Sequence, residues 1–84
     1  MESILLNNGA LINNAYCTES DGRLFVYIDK SDDIIAYFNL FVEPENTEII
    51  KEDRYGNQTT YTGYTDLYSI SKEYGNINLV LRKS

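Results

Sequence analysis

Few residues in this chain can do chemistry. Its 84 residues include no histidine and a single cysteine. Histidine is the commonest general base near neutral pH and the commonest metal ligand, so its absence removes the usual form of both. Cys17 is the only soft nucleophile. A reactive thiolate needs a base, a cation or a helix N-terminus beside it. Cys17 lies within a β-prone run that offers none of these, so it is expected to be a buried structural thiol that activity does not require.

The remaining candidates are acids. From Asp29 to Asp53 there are eight (Asp29, Asp32, Asp33, Glu43, Glu45, Glu48, Glu52, Asp53) against two bases (Lys30, Lys51), and this stretch carries the whole formal charge of −6. Paired carboxylates hydrolyse glycosides when a cleft holds them at the right separation. Asp29, Ser31 and Asp33 match three oxygen-ligand positions of a calcium loop, but Ile34 stands where that loop needs glycine. Asp32 and Asp33 are accounted for by the start of a helix, where carboxylates oppose the macrodipole. Glu43, Glu45 and Glu48 have two readings: a solvated loop and edge strand, or a surface that meets a basic partner. No catalytic residue, cofactor or metal is therefore expected, and binding is favoured over catalysis.

Tyrosine is the other concentrated chemistry. Eight tyrosines accompany three phenylalanines. Tyr55, Tyr61, Tyr64, Tyr68 and Tyr74 form a dense C-terminal group with few charges among them. Tyrosine joins a large apolar ring to a polar tip, which suits both cross-strand pairs and interface cores. Tyr61, Tyr64 and Tyr68 are the expected contact residues, with Glu43, Glu45 and Glu48 as the competing surface.

The elements that position these residues follow from turns and periodicity. A chain this short is expected to make one domain, residues 1–84. Asn8-Gly9, Asp21-Gly22, Gly56-Asn57 and Gly75-Asn76 separate β-prone runs, and such pairs reach positive φ readily. Strands are expected at 3–6, 10–18, 23–29, 47–53, 58–62, 64–71 and 77–81. In the second run Leu11, Ala15 and Cys17 share one side and Ile12 and Tyr16 the other. Strand 23–29 is apolar on both faces, Leu24, Val26 and Ile28 alternating with Phe25 and Tyr27. That pattern suits a central strand covered on both sides, or one whose second face meets a partner. Ile34, Ile35, Phe38, Phe41 and Val42 follow helical spacing. A helix is expected over 32–42, capped by Ser31, stopped by Pro44 and packed through Phe38 and Phe41 on strand 23–29. The expected fold is α+β: a mainly antiparallel sheet of about six strands with one short helix packed on it.

Composition narrows the partners. An isoelectric point near 4.4 opposes direct nucleic-acid binding, which needs a basic patch to displace counterions. The same deficit disfavours a membrane surface, and no apolar run reaches the ~20 residues of a span. Met1-Glu2-Ser3-Ile4 lacks the basic region of a signal peptide, and the single Cys17 cannot make an internal disulfide, so a reducing cytoplasm is expected rather than secretion by a signal peptide.

Several strings occur together: Leu5-Leu6-Asn7-Asn8-Gly9, then Glu19-Ser20-Asp21-Gly22-Arg23-Leu24-Phe25-Val26-Tyr27, then Glu43-Pro44-Glu45-Asn46-Thr47, then Tyr61-Thr62-Gly63-Tyr64-Thr65-Asp66-Leu67. In this order, with a helical segment between the second and third, the chain resembles small uncharacterised accessory proteins of phages and prophages of Gram-positive bacteria. The resemblance spans most of the chain and carries no catalytic residues. It implies a viral origin, in company with either virion structural proteins or proteins that counter host defences. The expected function is thus non-catalytic protein–protein contact in the host cytoplasm or a virion, as a tail or baseplate component or assembly factor, on a virion protein or in a homo-oligomer. The alternative is an acidic inhibitor that mimics nucleic acid in the basic groove of a host defence enzyme.

Overall fold

The computed structural model describes residues 2–31, 33–42 and 48–83. In chain order it contains β1 (Ser3–Leu6), β2 (Leu11–Asn13), β3 (Ala15–Ser20), β4 (Arg23–Ile28), α1 (Ile34–Phe41), β5 (Glu48–Glu52), β6 (Gln58–Thr62), β7 (Asp66–Glu73) and β8 (Asn76–Arg82). Among the described residues the fold is α+β, with antiparallel strand pairing and one short helix. The strands number eight rather than about six, and they form two four-stranded sheets, β2-β1-β5-β6 and β3-β4-β8-β7.

The run expected over 10–18 divides into β2 and β3 at Asn14. Residues 10–18 read as one strand, but Asn14 adopts φ 57°, a left-handed conformation that asparagine tolerates better than most side chains. The chain turns there and passes from the first sheet to the second. The break also resets the alternation: Ile12, Ala15 and Cys17 all point inward, while Leu11 and Tyr16 are exposed. A backbone bond from Ala15 N–H to the Glu2 carbonyl (3.3 Å) ties the corner together.

A second phase change occurs in β7. The pairing with β8 slips between Leu67 and Ser69, leaving Tyr68 as the extra residue of a β-bulge. Leu67 and Ile70 can therefore both pack on the core, although a regular strand would put them on opposite faces. Two hairpins of the second sheet close through tight turns with two successive positive φ values, at Asp21-Gly22 (52°, 73°) and Tyr74-Gly75 (52°, 78°). This is the primed geometry whose twist matches the flanking strands.

One core lies between the sheets. The first sheet supplies Ile4, Leu6, Ile12 and Ile49, and the second supplies Cys17, Leu24, Val26, Ile28, Ile77, Leu79 and Leu81. Because the first sheet shares the core with the inner face of β4, the helix does not occupy that face. Its neighbour is β7. Phe41 inserts into the core at 3% exposure, whereas Phe38, expected beside it, is 44% exposed. The helix starts two residues later than expected, with Asp33 rather than Ser31 as the cap: the Asp33 carboxylate accepts from Ala36 N–H at 3.2 Å. Asp32 and the expected stop at Pro44 lie outside the described residues. No helix of the described residues is long and apolar enough to cross a membrane.

Candidate interaction surface

The expected contact tyrosines do not share one surface. Tyr61 sits on β6 opposite Ile49 and is half-buried toward the interior, with the Lys51 ammonium 5.9 Å from its ring centre. Tyr64 lies in the crossover from β6 to β7 and is buried, its hydroxyl donating to the Glu19 carboxylate. That bond, with burial and the negative charge of Glu19, pushes the Tyr64 phenol up to about 12. Only Tyr68 is on an outer face. Tyr55 and Tyr74 stand exposed in hairpin turns. Among the acids, Glu48 is half-buried at the start of β5, opposite Thr62, and Glu43 and Glu45 lie outside the described residues.

Cys17 is buried on β3. Burial pushes its thiol up to about 11, against a smaller opposing pull from the Lys51 charge. It is therefore protonated at neutral pH, the weakly nucleophilic form. Asp53 is occupied locally. Its carboxylate accepts from the N–H groups of Tyr55 (2.8 Å) and Asn57 (3.0 Å), closing the β5–β6 turn. The Asn57 N–H bond is the largest influence holding it below the usual carboxylate range. Among the described residues, no three Cys, Asp or Glu side chains gather as a metal would require.

What the structure does assemble is the outer face of the second sheet. Antiparallel register stacks its outward side chains in three rows across the strands. The first row is Tyr16–Tyr27–Asn78–Ser71, the second Thr18–Phe25–Val80–Ser69 and the third Ser20–Arg23–Arg82–Asp66. In the first, the Tyr16 and Tyr27 rings pack with centres 5.3 Å apart. In the third, Tyr68 projects from its bulge to lie beneath both guanidiniums, 4.8 Å from Arg23 and 4.3 Å from Arg82. Arg82 also holds the Asp66 carboxylate at 2.7 Å. Beyond the first row a shallow hollow of about 410 Å³ is bordered by Glu2, Asn14, Asp29 and Arg54.

Phe25 (40%) remains exposed in the middle of this face and Tyr16 (44%) on its edge strand, β3. Isolated exposed apolar residues are ordinary, but a contiguous aromatic patch with a polar rim marks a contact site. The outer face of the first sheet carries a smaller aliphatic patch, Leu5, Leu11 and Ile50, without aromatic rings. The sequence signal for the larger patch was the double apolarity of strand 23–29. Regular alternation over 10–18 puts Tyr16 on one side with Ile12; the break at Asn14 separates them, Ile12 turning inward and Tyr16 outward beside Tyr27. The chain matches no protein-family model, no curated protein and no solved structure.

Proposed function

We propose that this protein is a non-catalytic accessory protein of phage type that works by protein–protein contact, as a virion-associated component of tail or baseplate or as an assembly factor. The observation that carries the contact reading is the aromatic outer face of the second sheet. Tyr16, Phe25, Tyr27 and Tyr68 lie on one surface with Arg23 and Arg82 at its rim. Interface cores are enriched in tyrosine, phenylalanine and arginine, whose area and polar tips anchor a partner with little loss of rotamer freedom. The phage setting rests on the resemblance of the sequence strings.

The test is affinity capture from lysate of a prophage-bearing Gram-positive host, with captured proteins identified by mass spectrometry. The expected result is a virion protein retained at about 0.5 M salt, where exposed charges are screened, and lost with Phe25→Thr plus Tyr27→Thr. Capture that survives those substitutions but disappears in salt, or with Glu43, Glu45 and Glu48 all changed to Gln, would replace this reading with the acidic-inhibitor one.

A further inference from the structure

We infer that the outer face of the second sheet binds a second copy of this chain, face to face, about a two-fold axis running across the strands; this names a partner for the contact surface above and rests on that reading. The argument comes from the order of side chains along β4. Its outward positions are Arg23, Phe25 and Tyr27, and the next residue in phase is Asp29, which borders the hollow with Glu2. One end of the face thus presents guanidiniums and the other carboxylates, with aromatic rings between. The third row has two guanidiniums against one carboxylate, Asp66, which is held by Arg82. Among the described residues the Arg23 guanidinium faces the Tyr68 ring and no carboxylate.

A two-fold contact requires a surface complementary to itself. Two axes in the plane of the face are possible, and charge selects one. An axis along the strands would lay the arginine row on its own copy, setting Arg23 over the partner's Arg82. An axis across the strands, passing beside Val26, reverses strand direction. It sets Arg23 opposite the partner's Asp29, and Phe25 opposite the partner's Tyr27. Each of these contacts occurs twice. Antiparallel register carries the axis to Cys17 on β3 and Leu79 on β8, so Tyr16 meets the partner's Thr18 and Val80 meets the partner's Asn78.

Carried to the edge strand β7, the same register sets Asp66 opposite the partner's Glu73. This is a like-charged pair, but Asp66 is already held by Arg82 and the pair lies away from β4. The other charges do not reverse the pattern. Arg54 borders the acidic end. Asp21 and Lys30 follow the two ends of the strand face in turns, each opposite in sign to its neighbour and outside the strands. Aligned sheets pack face to face about 10 Å apart with strands within about 30° of parallel or antiparallel, which this arrangement allows. Four strands about 4.8 Å apart and seven residues long present roughly 400 Å² in projection. Counted over both copies this is about 800 Å², below the ~1,000 Å² of a stable interface, so the dimer is expected to be weak and transient and is sought on the order of 10–100 µM.

Sedimentation equilibrium of the full chain over this range tests the proposal. Wild type is expected to dimerise reversibly. Phe25→Thr should weaken the dimer at least about tenfold by removing both central ring contacts. Arg23→Asp and Asp29→Arg should each weaken it about tenfold, since each sets like charges together twice. The double variant R23D/D29R should return to within about threefold of wild type. Circular dichroism of each variant confirms that it is folded. A wild type that stays monomeric to about 0.5 mM, a dimer indifferent to Phe25→Thr, or a double variant no better than its parents would overturn the proposal. Monomeric wild type whose capture of a virion protein still fails with Phe25→Thr overturns self-association alone. Face substitutions that alter neither dimer nor capture overturn the contact reading as well.

Discussion

The two faces of β4 are made of alternate residues of one strand, and beyond Arg23 both are apolar in sequence. Leu24, Val26 and Ile28 point inward and are 0–2% exposed; Phe25, between them, is 40% exposed. Side-chain chemistry separates them where hydrophobicity does not. The inner residues are aliphatic, of the kind that interlock at the density of a protein interior. The outer ones are aromatic, and Tyr27 carries a polar tip, a type that tolerates water on one side while offering area to a partner. On α1 chemistry does not separate inner from outer: Phe41 enters the core and Phe38, one turn away and of the same type, does not. Apolarity identifies residues that can be covered; packing decides which of them this chain covers by itself.

Substitutions can break that comparison, and the helix provides its largest contrast. Phe41→Ala should cost about 3–5 kcal/mol, through lost burial and the cavity left behind, and Phe38→Ala no more than about 1 kcal/mol. Urea unfolding followed by circular dichroism measures both. Equal losses would mean that the helix packs as a whole face rather than through one residue. On β4 itself, Leu24→Ala should cost about 2–5 kcal/mol, in a domain whose total stability is on the order of 5–10 kcal/mol.

A smaller effect, about 1–3 kcal/mol, is expected for Tyr64→Phe, which deletes a hydrogen bond to a carboxylate and leaves Glu19 without that donor. It has a pH signature. The Tyr64 phenol is raised from an ordinary value near 10 to about 12 in the folded protein. A raised group contributes stability that is fully present below its unfolded value and is lost as pH rises through the folded one. The Tyr64 contribution should therefore fade between about pH 10 and 12. Stability curves of wild type and Tyr64→Phe should converge over that window, and parallel curves would show that the hydroxyl is not held by Glu19.

How much of this the sequence disclosed depends on where the backbone keeps a regular period. β1, β6 and β8 lie within a residue of their expected positions at each end, because the turns at Asn8-Gly9, Gly56-Asn57 and Gly75-Asn76 bound them locally. The helix is also local, and its displaced cap reflects a choice between Ser31 and Asp33, two residues of similar capping strength. What failed was phase. One left-handed residue at Asn14 and one bulge at Tyr68 each shift the alternation by one, and nothing in their residue types demands it. The division into two sheets depends on the first of these. Without it, the helix had no competitor for the inner face of β4, and Tyr16 could not be set beside Tyr27. Among the expected contact residues, Tyr68 reaches the outer face because of the bulge, whereas Tyr64 is drawn inward by a partner 45 residues away, Glu19. A long-range pair of that kind leaves no mark in local periodicity.

The smallest expected effect sharpens the comparison most. Phe25→Thr keeps a β-branched residue at the centre of the outer face and removes the ring. It loses cross-strand contact with Thr18 and Val80, its direct neighbours in register. Such pairs contribute about 0.2–1 kcal/mol, and threonine retains most of the strand propensity. The monomer should therefore lose no more than about 1 kcal/mol, a fraction of the loss from Leu24→Ala one position away. The measurement must be made at low concentration, because a dimer linked to folding adds its own stabilisation by mass action. Thermal melts at two concentrations separate the terms. Wild type should melt higher when concentrated, and Phe25→Thr should melt at the same temperature at both. If Phe25→Thr instead costs as much as Leu24→Ala when dilute, the ring supports the fold from outside. The outer face would then be a second layer of core rather than a surface held for a partner.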